Sequence, residues 1–190
     1  MMKVKHTLLT LTMLLGGVFV AGNAGALTET REVDVEFTFG SVLTVSLSSA
    51  DLLIDNLVPG GVKNSNEIEI TVKTNNASGY KLSATVGDAT NNSRDLKHSD
   101  GVAAFQSIAT GASLPALATD STWGYSIDSG ASFSGLPFYT DAGAELKTTT
   151  GAVNETTKFL IGAKAATGQL SGDYTNVINF IAVPAVDSGE

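Results

Sequence analysis

The 190-residue chain contains no cysteine, so it can build neither a disulfide nor a thiolate nucleophile or metal site. Histidine is almost as scarce: His6 lies in the N-terminal leader and His98 is the only other one. With a single imidazole left, the commonest general base is nearly gone, and structural zinc, which takes about four ligands, is argued against. Basic residues are few as well. Beyond residue 26 there are nine against nineteen acids, a net charge of −10. They are scattered singly, which speaks against nucleic acid and anionic lipid as partners. No G-x-G-x-x-G or Walker loop occurs to cradle a phosphate, and Ser129–Gly135 lacks the G-x-S-x-G spacing of a nucleophile elbow and reads as a turn. The expectation from these absences is a protein that is not an enzyme and uses no cofactor.

What is present begins with a leader. Lys3, Lys5 and His6 precede an apolar run from Thr7 to Val20, and Ala24-Gly25-Ala26 supplies the small residues that signal peptidase accepts. The run falls short of the roughly 20 residues that span a bilayer. Residues 1–26 are therefore expected to form a cleaved N-terminal signal helix, leaving no transmembrane anchor. The remainder, 27–190, is the size of one domain with its own core, and its expected location is secreted, extracellular or at the cell surface. Without a cysteine for acylation or a sorting tail, attachment there would rest on contacts with other molecules.

Strand periodicity governs the rest. Val33, Val35, Phe37, Phe39, Leu43, Val45 and Leu47 share one phase against Asp34, Glu36, Thr38, Thr44 and Ser46, with a bend at Gly40-Ser41. Ile68, Ile70 and Val72 alternate with Glu67, Glu69, Thr71 and Lys73; after the turn Asn75–Gly79, Tyr80, Leu82, Ala84 and Val86 alternate with Lys81, Ser83 and Thr85. This pair is expected to form a β-hairpin. Further strand signals fall at Thr122–Ile127, Lys158–Lys164 and Asp173–Val183, the last with Tyr174, Ile178, Phe180 and Ala182 in one phase. Residues 87–122 read as a long surface excursion, anchored by Phe105, Ile108, Leu114 and Leu117. Helical spacing is confined to the leader. Short strands with glycine-rich turns imply an all-β fold, an antiparallel β-sandwich rather than an outer-membrane barrel with its aromatic girdles.

A few side chains merit a chemical reading. Calcium is the least implausible metal, through the oxygens of Asn91, Asn92, Asp95, Asp100 and the Gly101 carbonyl, although their spacing matches no known calcium loop and turns alone account for them. His98 reads as a solvated loop residue. Lys73, Lys81 and Lys164 fall on the polar register of their strands, which argues against an internal Lys-Asn cross-link. Trp123 and Tyr125 share the apolar phase and are expected in the core, whereas Tyr139, between Pro137 and Asp141, is the ring expected to face a ligand.

Five pieces carry a resemblance: Val58-Pro59-Gly60-Gly61, Thr74–Tyr80, Ile108–Gly111, Ser121–Ser126 and Gly172–Asn176. Together and in this order the chain resembles secreted bacterial surface proteins with an immunoglobulin-like β-sandwich, the pilin-like and adhesin-like subunits. The resemblance implies a surface-associated or fibre-forming structural protein without enzymatic activity, whose partners are itself or other surface proteins. Val33, Val35, Phe37 and Phe39 then read as a possible assembly strand, which would fill a groove in a neighbour's sheet. The alternative is a secreted module binding extracellular glycans or another ligand through Tyr139 and the excursion.

Overall fold

The computed structural model describes Phe37, residues 40–91 and residues 93–186. The leader, Val33, Val35, Phe39 and Asn92 lie outside the described residues. Phe37 belongs to a first unit, Met1–Thr38, and the rest to a second, Phe39–Glu190, which carries every described strand.

Among the described residues there are eleven strands and no helix: β1 (Leu43–Leu47), β2 (Val62–Asn64), β3 (Ile68–Thr74), β4 (Tyr80–Val86), β5 (Leu96–His98), β6 (Ala104–Ser107), β7 (Thr122–Ser126), β8 (Ala144–Thr148), β9 (Val153–Lys164), β10 (Tyr174–Thr175) and β11 (Ile178–Pro184). They form two packed sheets. The larger runs β1-β3-β9-β7-β6-β5-β10, with β2 also on β9, and the smaller runs β11-β4-β8. The fold is all-β, as the alternation requires.

The alternation of β3 and β4 is observed, but their pairing is not the expected hairpin. β3 pairs with β1 and β9, while β4 pairs with β11 and β8. The Asn75–Gly79 turn is thus an arch from one sheet to the other. Its cause lies in the side chains: Ile70 and Val72 on β3 and Tyr80, Leu82, Ala84 and Val86 on β4 are all fully buried. Two strands facing each other across an interior bury these rows against one another, whereas a hairpin would set them side by side. Gly79 makes the arch possible, with a φ of +80° and a position where a Cβ would collide with the Thr149 carbonyl.

The twelve-residue β9 is the spine of the larger sheet. Its first half pairs with β3, Ile68 opposite Phe159, and its second half lies between β2 and β7. Phe159, Ile161 and Ala163 enter the main core beside Trp123 and Tyr125; Tyr125 stacks on Phe159 with centroids 5.5 Å apart. Leu160 points to the opposite face, where Ile108, Leu117 and Phe133 cover it in a second small cluster.

Pairing is not wholly antiparallel. β6 and β7 run parallel, Gln106 opposite Thr122, because the 108–121 crossover returns the chain to the same end before β7 begins. The 87–122 stretch, read from its polarity as a surface excursion, contributes β5 and β6 to the larger sheet and buries Leu96, Phe105, Ile108 and Leu117. The Asp173–Val183 run is likewise divided: Tyr174 lies on β10 against His98, and Ile178 begins β11 in the other sheet.

Candidate functional site

The smaller sheet has three strands and, among the described residues, leaves part of the larger one uncovered. Leu43, Val45 and Leu47 of β1 stand opposite Thr74, Val72 and Ile70, and residues directly opposite in an antiparallel pair share a face. Ile70 and Val72 are fully buried, yet Val45 is 41% and Leu47 43% exposed. β1 therefore carries an inward-facing apolar row in which Leu43 packs against the core while Val45 and Leu47 stay partly exposed. Across from it, β11 shows the same condition. Ile178, Phe180 and Ala182 face inward opposite Val86, Ala84 and Leu82. Their β4 partners are fully buried, whereas these three are only half-buried.

A groove of about 940 Å³ opens between the segment after β1 and the 169–176 segment that leads into β11; of the β1 row only Leu47 lines it. Its deepest lining comes from Ile68, Leu96, Phe105 and Ile161, and Ile178 and Phe180 form one wall. The opposite wall is the segment after β1, which places Leu52, Ile54 and Leu57 against the core. Asn66 fixes that wall: its Oδ1 accepts from the Leu53 amide at 2.8 Å and its Nδ2 donates to the Asp51 carbonyl at 3.2 Å. The rim is acidic, with Asp51, Asp55 and Asp173.

The edge of β11 is also chemically open. The Gly87 amide donates to Val177 O and the Ala185 amide to Gly79 O, so the odd-numbered residues exchange hydrogen bonds with β4. By the alternation of an antiparallel ladder, the N–H and C=O groups of Ile178, Phe180 and Ala182 point to the free side. Pro184 falls in that same set, where its missing N–H costs the existing ladder nothing. The outer edge of β8 differs. Its ladder is broken by a bulge between Leu82 and Ser83, Glu145 and Lys147 flank it, and its inward residue Leu146 is buried. Bulges and charges of this kind blunt an edge against pairing.

Of the expected assembly residues, Phe37 is exposed and in no strand, and Val33, Val35 and Phe39 lie outside the described residues. Tyr139 is half-exposed, its ring edge-on to Phe138 at 4.6 Å. Trp123 is fully buried and donates from Nε1 to Arg94 O at 3.0 Å.

His98 is not a solvated loop residue. It sits on β5 with its side chain only 12% exposed, next to the Tyr174 ring, with Nδ1 3.1 Å from Asp100 and Nε2 3.2 Å from Ser171 O. The sequence pattern concealed this because Lys97, Ser99 and Asp100 surround it.

Two of the carboxylates considered for calcium accept from backbone amides. Asp95 accepts from the Ser107 amide and Asp100 from the Val102 and Ala103 amides, contacts with amides that hold the Asp100 carboxyl below its usual range. Asn91 Oδ1 is buried without a partner among the described residues. Among these residues, too, no three His, Asp or Glu side chains gather to hold a metal.

The Lys158 ammonium, 2.7 Å from Glu67, draws that carboxyl down together with the Ser129 hydroxyl, and Glu67 in turn raises Lys158. Both are solvent-facing and join β9 to the arm before β3.

No protein-family model matches the chain, and neither a curated protein nor a solved structure matches it.

Proposed function

We propose that this chain is a non-enzymatic structural or adhesive protein of the extracellular surface, an immunoglobulin-like sandwich that assembles with copies of itself. The observation that carries this reading is the half-open edge: Val45 and Leu47 of β1 stay partly exposed on the inward face, and no described strand pairs with the free side of β11. Natural proteins blunt, charge or cover their edges; β8 has a bulge and flanking charges, whereas on β11 only Pro184, at its last position, serves that end. An open strand edge joins subunits through backbone pairing, with side-chain pockets giving selectivity.

Light scattering and electron microscopy of the purified protein test it directly. Ordered oligomers or fibres at micromolar concentration are the expected result. A monodisperse monomer overturns self-assembly and favours the ligand-binding reading, in which Tyr139, held edge-on by Phe138, would contact a glycan; a Tyr139→Ala variant on a glycan array then decides that reading.

A further inference from the structure

We infer that the groove between the segment after β1 and the 169–176 segment is a ligand site, and that it takes an amphiphilic amine: an apolar body ending in one ammonium group. The site uses neither Tyr139 nor backbone pairing at β11, so it does not rest on the self-assembly reading.

Size and floor select the body. A cavity of about 940 Å³ lies within the range that holds one small organic molecule, about 300–1,000 Å³. Ile68, Leu96, Phe105 and Ile161 line it at depth and are all buried. None of these side chains carries a donor or acceptor, so the floor rewards hydrocarbon.

The mouth selects the sign. Asp51, Asp55 and Asp173 line the groove, whereas no lysine, arginine or histidine does. These carboxylates are also unengaged. Every other aspartate among the described residues has a partner: Asp88, Asp95, Asp100, Asp128 and Asp141 accept from amides or hydroxyls, and Asp120 meets Lys164 at 3.3 Å. The carboxylates of Asp51, Asp55 and Asp173 have none among these residues. Lys63 reaches the rim, but its ammonium donates to the Asp55 carbonyl at 2.5 Å and not to the carboxylate. A cleft lined by one sign of charge over apolar walls concentrates the opposite ion.

Both walls are braced. The Asp51 amide donates to the Ser49 hydroxyl at 3.1 Å, and its carbonyl accepts from Asn66 Nδ2. Opposite, Gln169 accepts from the Ser121 hydroxyl at 2.7 Å and donates to the Tyr174 hydroxyl at 2.8 Å, which donates to Leu170 O. The His98 ring packs on Tyr174 with centroids 5.0 Å apart. Asp173 lies inside that tied loop, so binding has little ordering left to impose.

Decyltrimethylammonium and decanoate, alike in chain length and opposite in charge, test the site. Each is titrated below its micellar concentration into the purified full chain while the isoleucine methyl groups are followed by NMR. Ile68, Ile161 and Ile178 report on the groove, and Ile108, in the cluster on the opposite face of β9, reports elsewhere. The expected result is saturable shifts at the three groove residues, with the cation bound roughly tenfold tighter than the anion at low salt. That advantage shrinks in about 1 M salt, where charges are screened beyond about 3 Å. The Asp51→Asn/Asp55→Asn/Asp173→Asn variant binds both probes equally, while Glu69→Gln, which removes an exposed carboxylate from β3, keeps the preference. The single variants Asp51→Asn and Asp173→Asn each lower it in part and serve if the triple variant misfolds. Equal affinity of the wild type for the two probes overturns the inference. So does a Glu69→Gln effect as large as that of the rim variants, because net charge alone then accounts for the preference. Shifts at Ile108 that match those in the groove, or no shift at any methyl, overturn it as well. Light scattering on the same samples reads self-assembly separately, so either reading can fail alone.

Discussion

Asn75 and Asn76, adjacent in the arch between the two sheets, clip the two ends of the described domain. Asn75 accepts from the Val42 amide at 2.6 Å and donates to Gly40 O at 2.8 Å, fixing the approach to β1. Asn76 donates from Nδ2 to Gly79 O at 2.9 Å and to Ala185 O at 2.8 Å, fixing the exit from β11. Both uncovered edges are thus registered by one turn. Asn76→Asp removes the donor and sets a carboxylate against two carbonyls. The expected loss is about 2–3 kcal/mol, two hydrogen bonds plus the unmatched acceptors, read as a fall in Tm of roughly 5–10 °C for a domain of this size. Asn75→Ala acts locally: hydrogen exchange accelerates at Val42, and the Ala185 amide is unchanged.

Tyr80 is fully buried, and its hydroxyl has no hydrogen-bond partner among the described residues. Burial, with Glu155 adding to it, raises the phenol above its ordinary pKa. A buried unsatisfied group costs its desolvation, about 1–3 kcal/mol, without return. Tyr80→Phe keeps the ring and removes the hydroxyl, so a gain of about 1 kcal/mol in urea unfolding is expected. A loss of similar size would show that the hydroxyl is bonded in solution.

The small cluster on the outer face of β9 depends on close approach. At Gly162 a Cβ would stand 2.6 Å from Phe133 Cε1 and 2.8 Å from Asn64 Oδ1. Gly162→Ala therefore pushes the 128–136 loop off Leu160 or shifts β2, at about 1–3 kcal/mol of overpacking. Near-ultraviolet circular dichroism and chemical denaturation check it, and Gly168→Ala, where a Cβ meets nothing, is the neutral control.

Much of the fold was legible in period-two alternation. Ile68–Val72 and Tyr80–Val86 declared themselves as strands because each has a polar face, and Trp123 and Tyr125 declared their burial by phase. What alternation does not encode is which sheet a strand joins. An arch and a hairpin show the same alternation on either side of the same turn, and the difference lies in the partners, β1 and β9 for β3 and β11 and β8 for β4, which are far along the chain. Short strands were hidden for a different reason: β5 offers one fully inward residue, Leu96, and β8 one, Leu146, too few to show a period. The alternation of Val33, Val35, Phe37 and Phe39 was legible as a strand, but the partly exposed row on β1 was not. Val45 and Leu47 alternate like any core residues, and their exposure arises from the width of a sheet whose strands lie far along the chain.

Asp128 organises the turn that places Phe133 in the outer cluster. Its Oδ1 accepts from the Ser126 hydroxyl at 2.6 Å and the Ser132 amide at 2.9 Å, and its Oδ2 accepts from the Ser132 hydroxyl at 2.6 Å. These donors, the Ser126 hydroxyl first, favour the charged form and lower the carboxyl to about 2 from an ordinary 3.8. By linkage, the unfolded chain binds this proton more readily, so the stabilisation is full above the unfolded pKa and is lost as pH falls through the folded one. Between pH 4 and pH 2 the native protein therefore loses this contribution. An Asp128→Asn variant lacks it at every pH. The two proteins should differ most in denaturation midpoint at pH 5 and above, and the difference should shrink by more than half by pH 2. Glu67, Asp88, Asp100 and Glu145 are also lowered by their hydrogen-bond partners. They titrate alike in both proteins and cancel in the comparison, so a difference that stayed constant with pH would assign the turn's stability to the geometry of the hydrogen bonds instead of the charge that accepts them.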